Sequence, residues 1–343
     1  MTAWQTGVRE GTEPGGRSLN LLVNSSNPRR RLPVGQHAAA VLDTLRGAQT
    51  RTETVPLKSA LGRVLAADQV ATLPVPPSTD VDETAQPRDL VLERGTRLRA
   101  RHLAAAAAAG LATLPVARRP RVRVVVTGDE VVAPGAPPRP GSVPDSDGPY
   151  VSGAVIRAGA KVAGLTRCPD DAEALTHVLD TAAADLVVVT GGISAPGRDA
   201  VRDVLEARGC ELVDVVMHPE APQGCGLWDG TPVVALPGDP TGVVVSFAVF
   251  VRPAIEALLG QTPRPPRWGV AAHRWHSPAG RRQYLPVVVT HDPDGRRFVW
   301  PASEYGSSAH PVACLAVADA LAVVPEEQDE VLEGDVLPLL DLP

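Results

Sequence analysis

A chain of 343 residues, 44% hydrophobic and 21% charged, is long enough for two or three domains and has the composition of an ordinary soluble globular protein. Its formal net charge of -6 excludes broad nucleic-acid binding, because no excess of Lys and Arg is left to neutralise phosphates, yet one loop can still hold a small phosphate-bearing ligand. Aromatics at 3%, against 35 Pro and 31 Gly, require cores of Val, Leu and Ala carried on many short segments.

Cys168, Cys210, Cys225 and Cys314 show no C-x-x-C spacing and read as reduced thiols, not as a disulfide frame or zinc site. The start of the chain lacks an apolar signal region, and the alanine run from Ala104 to Ala109 is too short to span a bilayer. A cytoplasmic protein with no membrane or nucleic-acid partner is expected.

Residues 1–33 are polar and rich in Gly, Ser and Arg, the composition of a disordered leader. From Val34 to residue 119 a small N-terminal α/β region is expected. It has a helix over His37 to Leu45, a strand in T-E-T-V-P-L, a second helix over Ser59 to Ala67, and an alanine-rich helix over Arg101 to Ala109 ending at Gly110. The proline-rich run from Thr72 to Asp89 reads as a linker or long loop.

Between residues 120 and 260 the alternation is regular. R-V-R-V-V-V-T, K-V-A-G-L, D-L-V-V-V-T, E-L-V-D-V-V and P-V-V-A-L read as strands. Helices are expected over Pro149 to Ala158, Asp171 to Ala184, Ala200 to Arg208, and Pro240 to Leu259. The apolar runs are continuous, as parallel strands covered on both faces require, so the fold class is α/β with a doubly wound, mostly parallel sheet. Residues 264–343 change to short strands with turn signals such as Asp292-Pro293-Asp294-Gly295, which predict a C-terminal β domain.

In an open parallel sheet, ligands sit beyond the carboxyl ends of the strands. Those ends here are Thr127-Gly128-Asp129-Glu130, Cys168-Pro169-Asp170-Asp171, Thr190-Gly191-Gly192 leading through Ser194 to Asp199, Met217-His218-Pro219-Glu220, and Leu236-Pro237-Gly238-Asp239-Pro240. All five fall on one edge. The Gly191-Gly192 loop before a helix offers backbone N–H groups and a helix dipole to an oxyanion. Plainer readings stand beside these: Asp170, Asp171 and Asp199 as helix caps, P-G-D-P as a turn with Pro240 in the first helical turn, and His218 as surface instead of a phosphate partner or proton donor. Carboxylates facing phosphate predict a shared Mg²⁺, with Asp129, Glu130 and Asp170 as its ligands. His273 and His276, three apart in a strand, point to opposite faces and make poor metal ligands.

T-G-D-E, P-D-S-D-G-P, P-D-D, V-V-T-G-G-I-S and A-L-P-G-D-P, the last followed by a long apolar helix and V-R-P, occur in one order. In this the chain resembles the bacterial MoeA and gephyrin E-domain family, the molybdopterin molybdenumtransferases. The likeness extends to V-P-L-K-S-A-L-G-R-V-L-A, to R-G-T-R-L-R with A-R-R-P-R-V, and to G-R-R-Q-Y-L with Y-G-S-S, and so covers nearly everything after the leader. The resemblance implies insertion of molybdate into adenylylated molybdopterin with release of AMP. It also implies Mg²⁺, an elongated homodimer and contact with other molybdenum cofactor biosynthesis proteins. The central domain is similar to that of the molybdopterin adenylyltransferases.

The chain departs from the family pattern in a consistent way. After Pro76-Pro77 a motif close to F-D-N-S-A-M-D-G-Y-A is expected, opening into an inserted β-rich domain; near residues 78–88 that domain is absent. The K-P-G-K-P loop is here His218-Pro219-Glu220-Ala221-Pro222, a further lysine aligns with Asp214, an arginine with Pro286, and P-G-N-P has become P-G-D-P. Retained are Asp129, Glu130, Asp170, Gly191, Gly192, Ser194, Asp199 and Ser307. By resemblance Glu130, Asp170 and Asp199 are the catalytic candidates, and Thr190, Gly191, Gly192, Ser194, His218, Pro237, Gly238, Asp239 and Ser307 bind the pterin and its phosphate. Losing cations from an anion site predicts weaker binding and impaired turnover. Three functions are therefore carried forward: an impaired molybdenumtransferase, a noncatalytic molybdopterin-binding carrier or scaffold, and a molybdopterin adenylyltransferase.

Overall fold

The computed structural model describes residues 30–48, 50–72, 89–137, 139–193, 200–219, 222–263, 265–303 and 312–342. Near its start, β1 (Arg31–Leu32) runs into α1 (Val34–Asp43), which buries Val34, His37 and Val41 along one face. β2 (Thr52–Pro56), α2 (Ala100–Ala108) and β3 (Thr113–Ala117) follow, with β2 and β3 paired antiparallel. The helix expected over Ser59 to Ala67 does not form. A single 3-10 turn covers Leu57–Ser59, Gly62 then takes a φ of 74°, and Val64 and Leu65 bridge to Arg97 and Val116. A left-handed glycine stops helical propagation, and the extended backbone beyond it buries both Val64 and Leu65.

The central sheet is built from β4 (Arg121–Thr127), β5 (Lys161–Cys168), β6 (Leu186–Thr190), β7 (Glu211–Val215), β9 (Pro222–Trp228) and β10 (Thr231–Leu236), with the short β8 (Met217–His218) directly after β7. Its order is β1-β7-β9-β10-β6-β4-β5. β5, β4, β6 and β10 are parallel neighbours, as the continuous apolar runs predict. Alternate residues feed two cores. Val122, Val124, Val126, Leu186 and Val188 face α1, α3 (Asp147–Ala158), α6 (Pro240–Ser246) and α7 (Arg252–Leu258). Val125, Val187 and Val189 face α4 (Ala172–Asp180) and α5 (Ala200–Ala207) on the other side. Each fully buried valine contributes roughly 1.5–3 kcal/mol relative to exposure, so these strands anchor the sheet.

Two strands of this sheet are not predicted by their sequence: β1, whose Arg31 and Leu32 fall in the stretch expected to be a disordered leader yet pair with Asp214 and Val215, and β9. β9 pairs antiparallel with β10 and with β7, which separates two strands read above as part of one parallel set. Its sequence P-Q-G-C-G-L-W lacks a β-branched run because the space around it is tight: a Cβ added at Gly226 would lie 2.5 Å from Cys210 Sγ.

α6 and α7 are joined by a π turn over Phe247–Val251. The turn ends two residues before Pro253, which has no N–H for the helical ladder, so the irregular spacing coincides with that missing donor. The combined helix Pro240–Leu258 is long and apolar enough to cross a membrane by composition, but 67% of its most apolar stretch is buried inside the protein, where it packs as the core helix.

β11 (Arg267–Ala271), β12 (Arg282–His291), β13 (Arg297–Pro301), α8 (Val312–Val317), β14 (Ala320–Val324) and β15 (Val336–Asp341) form the C-terminal β region. β12 pairs with both β13 and β14, and β11 and β15 complete the ring, which closes a small barrel around Leu285, Val287, Val299 and Ala322. β8 pairs with β12, so the chain passes from the central sheet into the barrel sheet along one extended stretch.

Candidate functional site

The loops leaving β4, β6 and β10 are locked to one another by hydrogen bonds to backbone carbonyls. Thr127 Oγ1 donates to the Thr190 carbonyl at 3.0 Å, and the Gly191 N–H donates to the Leu236 carbonyl at 3.2 Å. Gly191 and Gly192 have φ of 85° and 65°. A Cβ at Gly191 would sit 2.6 Å from the Thr127 carbonyl oxygen, and one at Gly238 would sit 3.1 Å from Gly191 Cα. Glycine is required at 191 both by conformation and by the closeness of neighbouring backbone.

Beyond these turns lies a cavity of about 490 Å³. Backbone turns at Gly128, Gly191, Gly192 and Gly238 line it, together with the carboxylates Glu130, Asp145, Asp147, Asp170 and Asp239. No lysine or arginine is among the described residues of its wall. Glu130, Asp170, Gly191, Gly192, Pro237, Gly238 and Asp239 are thus brought together as the strand ends predict. Thr190 is fully buried at the end of β6.

Other predicted residues fall elsewhere. Asp129 Oδ1 accepts the Asp170 N–H at 3.1 Å, which shapes the rim instead of facing the cavity. His218 lies in β8 opposite Gln283 and is not part of the cavity wall. Ser194, Asp199 and Ser307 lie outside the described residues, as do Glu220 and the 78–88 segment where an inserted domain was expected. The cap reading holds for Asp171, whose Oδ1 accepts the Ala174 N–H, and Asp239, whose plainer reading above is part of a turn, is a cap as well, its Oδ1 accepting the Gly242 N–H, each at 2.7 Å. Asp239 therefore both caps α6 and lines the cavity.

Asp145 and Asp147, inside the P-D-S-D-G-P motif, were given no role in the sequence reading. Their signal is the pair of acids at the start of a helix, away from any strand end. Asp145 accepts from Arg167 Nε at 2.8 Å and from the Gly148 N–H at 2.7 Å, and its side chain is entirely buried. Asp147, in the first turn of α3, is only 6% exposed. Burial pushes its carboxyl up to about 7, against the pull of a hydrogen bond from Ser146, and the neighbouring Asp145 and Asp239 charges raise it further. The Thr190 hydroxyl, also pulling downward, leans toward the same carboxyl without reaching good hydrogen-bond geometry. Asp147 thus titrates near neutrality inside the cavity.

Among the described residues no three His, Cys, Asp or Glu side chains converge as a metal-ligand set. With Asp129 directed at the Asp170 backbone, the predicted trio does not form a cation cage of its own. The cavity instead combines backbone donors on glycine turns with a wall of carboxylates, suited to a ligand carrying both an oxyanion and hydrogen-bond donors.

Residues 123–257 match the family described as the probable molybdopterin binding domain, and residues 269–342 match the MoeA C-terminal region (domain IV). Molybdopterin molybdenumtransferase 2 of Mycobacterium tuberculosis is 37% identical over 264 residues, which is 74% of this chain and 64% of the relative. Molybdopterin molybdenumtransferase 1 of the same organism is 33% identical over 266 residues, 74% of this chain and 62% of the relative. The chain therefore spans less than two thirds of the length of these curated relatives. A solved molybdenum cofactor biosynthesis protein from Pyrococcus furiosus, 25% identical, superposes on 91% of this chain and 100% of its own with a TM-score of 0.68. A moeA protein from Pyrococcus horikoshii OT3, 18% identical, shares the fold over 90% of this chain and 99% of its own with a TM-score of 0.70. The cavity falls within the matched pterin-binding stretch, the barrel within the matched C-terminal region, and the chain belongs to the MoeA family.

Proposed function

We propose that this protein acts in molybdenum cofactor biosynthesis as a molybdopterin molybdenumtransferase, inserting molybdate into adenylylated molybdopterin with release of AMP, at a reduced rate. The observation that carries the reading is the single cavity at the ends of β4, β6 and β10, inside the stretch that matches a probable molybdopterin binding domain. Gly192 and Gly238 hold the phosphate through backbone N–H groups on the turn that Gly191 shapes, and Glu130, Asp170 and Asp199 act on the bound ligand. Ser194, Pro237 and Ser307 complete the binding surface, and the buried Thr190 supports it from the end of β6. Mg²⁺ enters with the ligand's phosphates, because the carboxylates alone do not form its cage. A cytoplasmic homodimer, working beside other proteins of the same biosynthesis, is the assembly this reading carries. Its domains are 34–119, 120–260 and 264–343, and the extra length of the curated relatives supports an inserted domain missing near 78–88.

A second reading, a noncatalytic pterin carrier or scaffold, is favoured by one observation: five carboxylates and no described cation line the cavity. One assay separates the two. Purified protein is mixed with adenylylated molybdopterin, molybdate and Mg²⁺ while AMP release is followed. AMP release that falls in Asp199→Ala and Glu130→Gln is the expected result. Pterin binding without AMP release sinks the enzyme reading, and absence of both sinks the carrier as well.

A further inference from the structure

α3, and α6 continued by α7, both start at the acidic cavity and lead away from it, and at their far ends the charge reverses. Two adjoining cavities, of about 390 and 260 Å³, share Arg99, Arg252, Glu256 and Asp341 as walls. Arg267 borders the first, while Arg97 and Arg157 border the second. Five guanidinium groups therefore face two carboxylates in a chain whose total charge is -6.

Three of these arginines are held in place by the groove itself. Arg97 donates to the Arg157 and Ala158 carbonyls at 3.1 and 2.6 Å, covering the negative end of α3. Arg252 Nη1 donates to the Asp341 carbonyl at 2.5 Å, and Arg267 pairs with the Asp341 carboxylate at 2.6 Å. A guanidinium bonded to a carbonyl keeps its full charge, so only the last contact neutralises one. Arg99 and Arg157 are exposed and make no ion pair with any described residue. Beside them, His102 is held below the usual histidine range by burial and by the Arg101 and Arg99 charges.

From this arrangement we infer that the groove between α3, α7 and β15 is a second anion site, which takes a small molecule bearing a pyrophosphate group. Two free planar forks, Arg99 and Arg157, match successive phosphates bidentately, and the fixed arginines behind them supply the field. The net negative charge of the chain and the small volume exclude a nucleic-acid polymer. This inference does not rest on the pterin reading of the first cavity.

The test is calorimetric titration of the full chain with inorganic pyrophosphate and with ADP at low and physiological salt. Binding that weakens with salt is expected, with at least a tenfold loss in Arg99→Ala/Arg157→Ala and a smaller loss in the corresponding double lysine variant. Arg46→Ala, a surface change outside the groove walls, leaves it unchanged. Circular dichroism checks that each variant is folded. No binding to the wild type at millimolar pyrophosphate overturns the inference. Equal binding by the folded alanine double variant also overturns it and places the anion in the acidic cavity instead.

Discussion

Arg167 Nε donates to Asp145 Oδ2 at 2.8 Å, joining the end of β5 to the loop that opens α3. The carboxylate side chain is wholly buried while the guanidinium is 34% exposed, so only one partner keeps contact with water. That asymmetry decides what happens when the pair is broken.

Replacing Arg167 by Met leaves Asp145 charged and uncompensated and is expected to destabilise the fold by about 3 kcal/mol. Adding Asp145→Asn to the same chain removes the buried charge and recovers most of the loss. Urea unfolding of the two single variants and the double variant measures both effects, and strict additivity would disprove the coupling.

Asp147 gives the cavity a pH dependence of definite sign. Its carboxyl is raised from 3.8 to about 7, so folding takes up a proton between those values and its contribution to stability falls as pH rises through that window. Asp147→Asn is therefore expected to be more stable than wild type at pH 8, by on the order of 2–4 kcal/mol, and similar to it near pH 4. Oxyanion binding in the cavity should also weaken between pH 6 and 8 in the wild type and lose that dependence in the variant. A flat stability difference from pH 4 to 8 would show that Asp147 does not titrate as its surroundings require.

His37 carries the opposite sign. It is 1% exposed and stacks edge-on against Phe250 at 4.8 Å, and burial lowers its pKa to about 4. The neutral ring is the folded form, so stability is lost as pH falls from about 6.5 to about 4, by roughly 3 kcal/mol. Comparing urea unfolding of the wild type and His37→Leu across that range should show a steeper acid loss in the wild type.

Gly191→Ala tests the loop at the centre of the site. The new methyl group meets a φ of 85° and the Thr127 carbonyl oxygen at 2.6 Å, so a loss of about 2 kcal/mol or more is expected. Pterin affinity should fall with it. Gly135→Ala, also at positive φ but with nothing within 4 Å, should cost only about 1 kcal/mol and leave binding intact.

What could be read from the sequence followed from strong local signals. The valine runs of β4, β6 and β10 announce parallel strands, and the polar turns after them announce the cavity edge. Four things escaped, each for a physical reason. β1 is hidden because two residues beside a polar stretch carry no pattern of their own and pair only with the distant β7. β9 is hidden because packing against Cys210 demands glycine where a strand usually shows branched residues. The Ser59 to Ala67 segment looks helical because its apolar spacing also suits extended bridges once Gly62 turns the chain. Asp145 and Asp147 were passed over because they reach the cavity from a helix start, and only the folded chain brings that start beside the strand ends.

The position of β1 sets a clock on biosynthesis. Arg31 and Leu32 pair with Asp214 and Val215, and the Arg30–Glu211 ion pair beside them joins residues 181 apart in the chain. At roughly 5–20 residues per second, a ribosome takes on the order of ten to forty seconds to make that stretch. Throughout that interval the first strand waits for its neighbour, and Leu32, Val34 and Val41 remain without the partners that later bury them. This edge strand is thus made long before the strand it pairs with, leaving a nascent surface for a chaperone to cover.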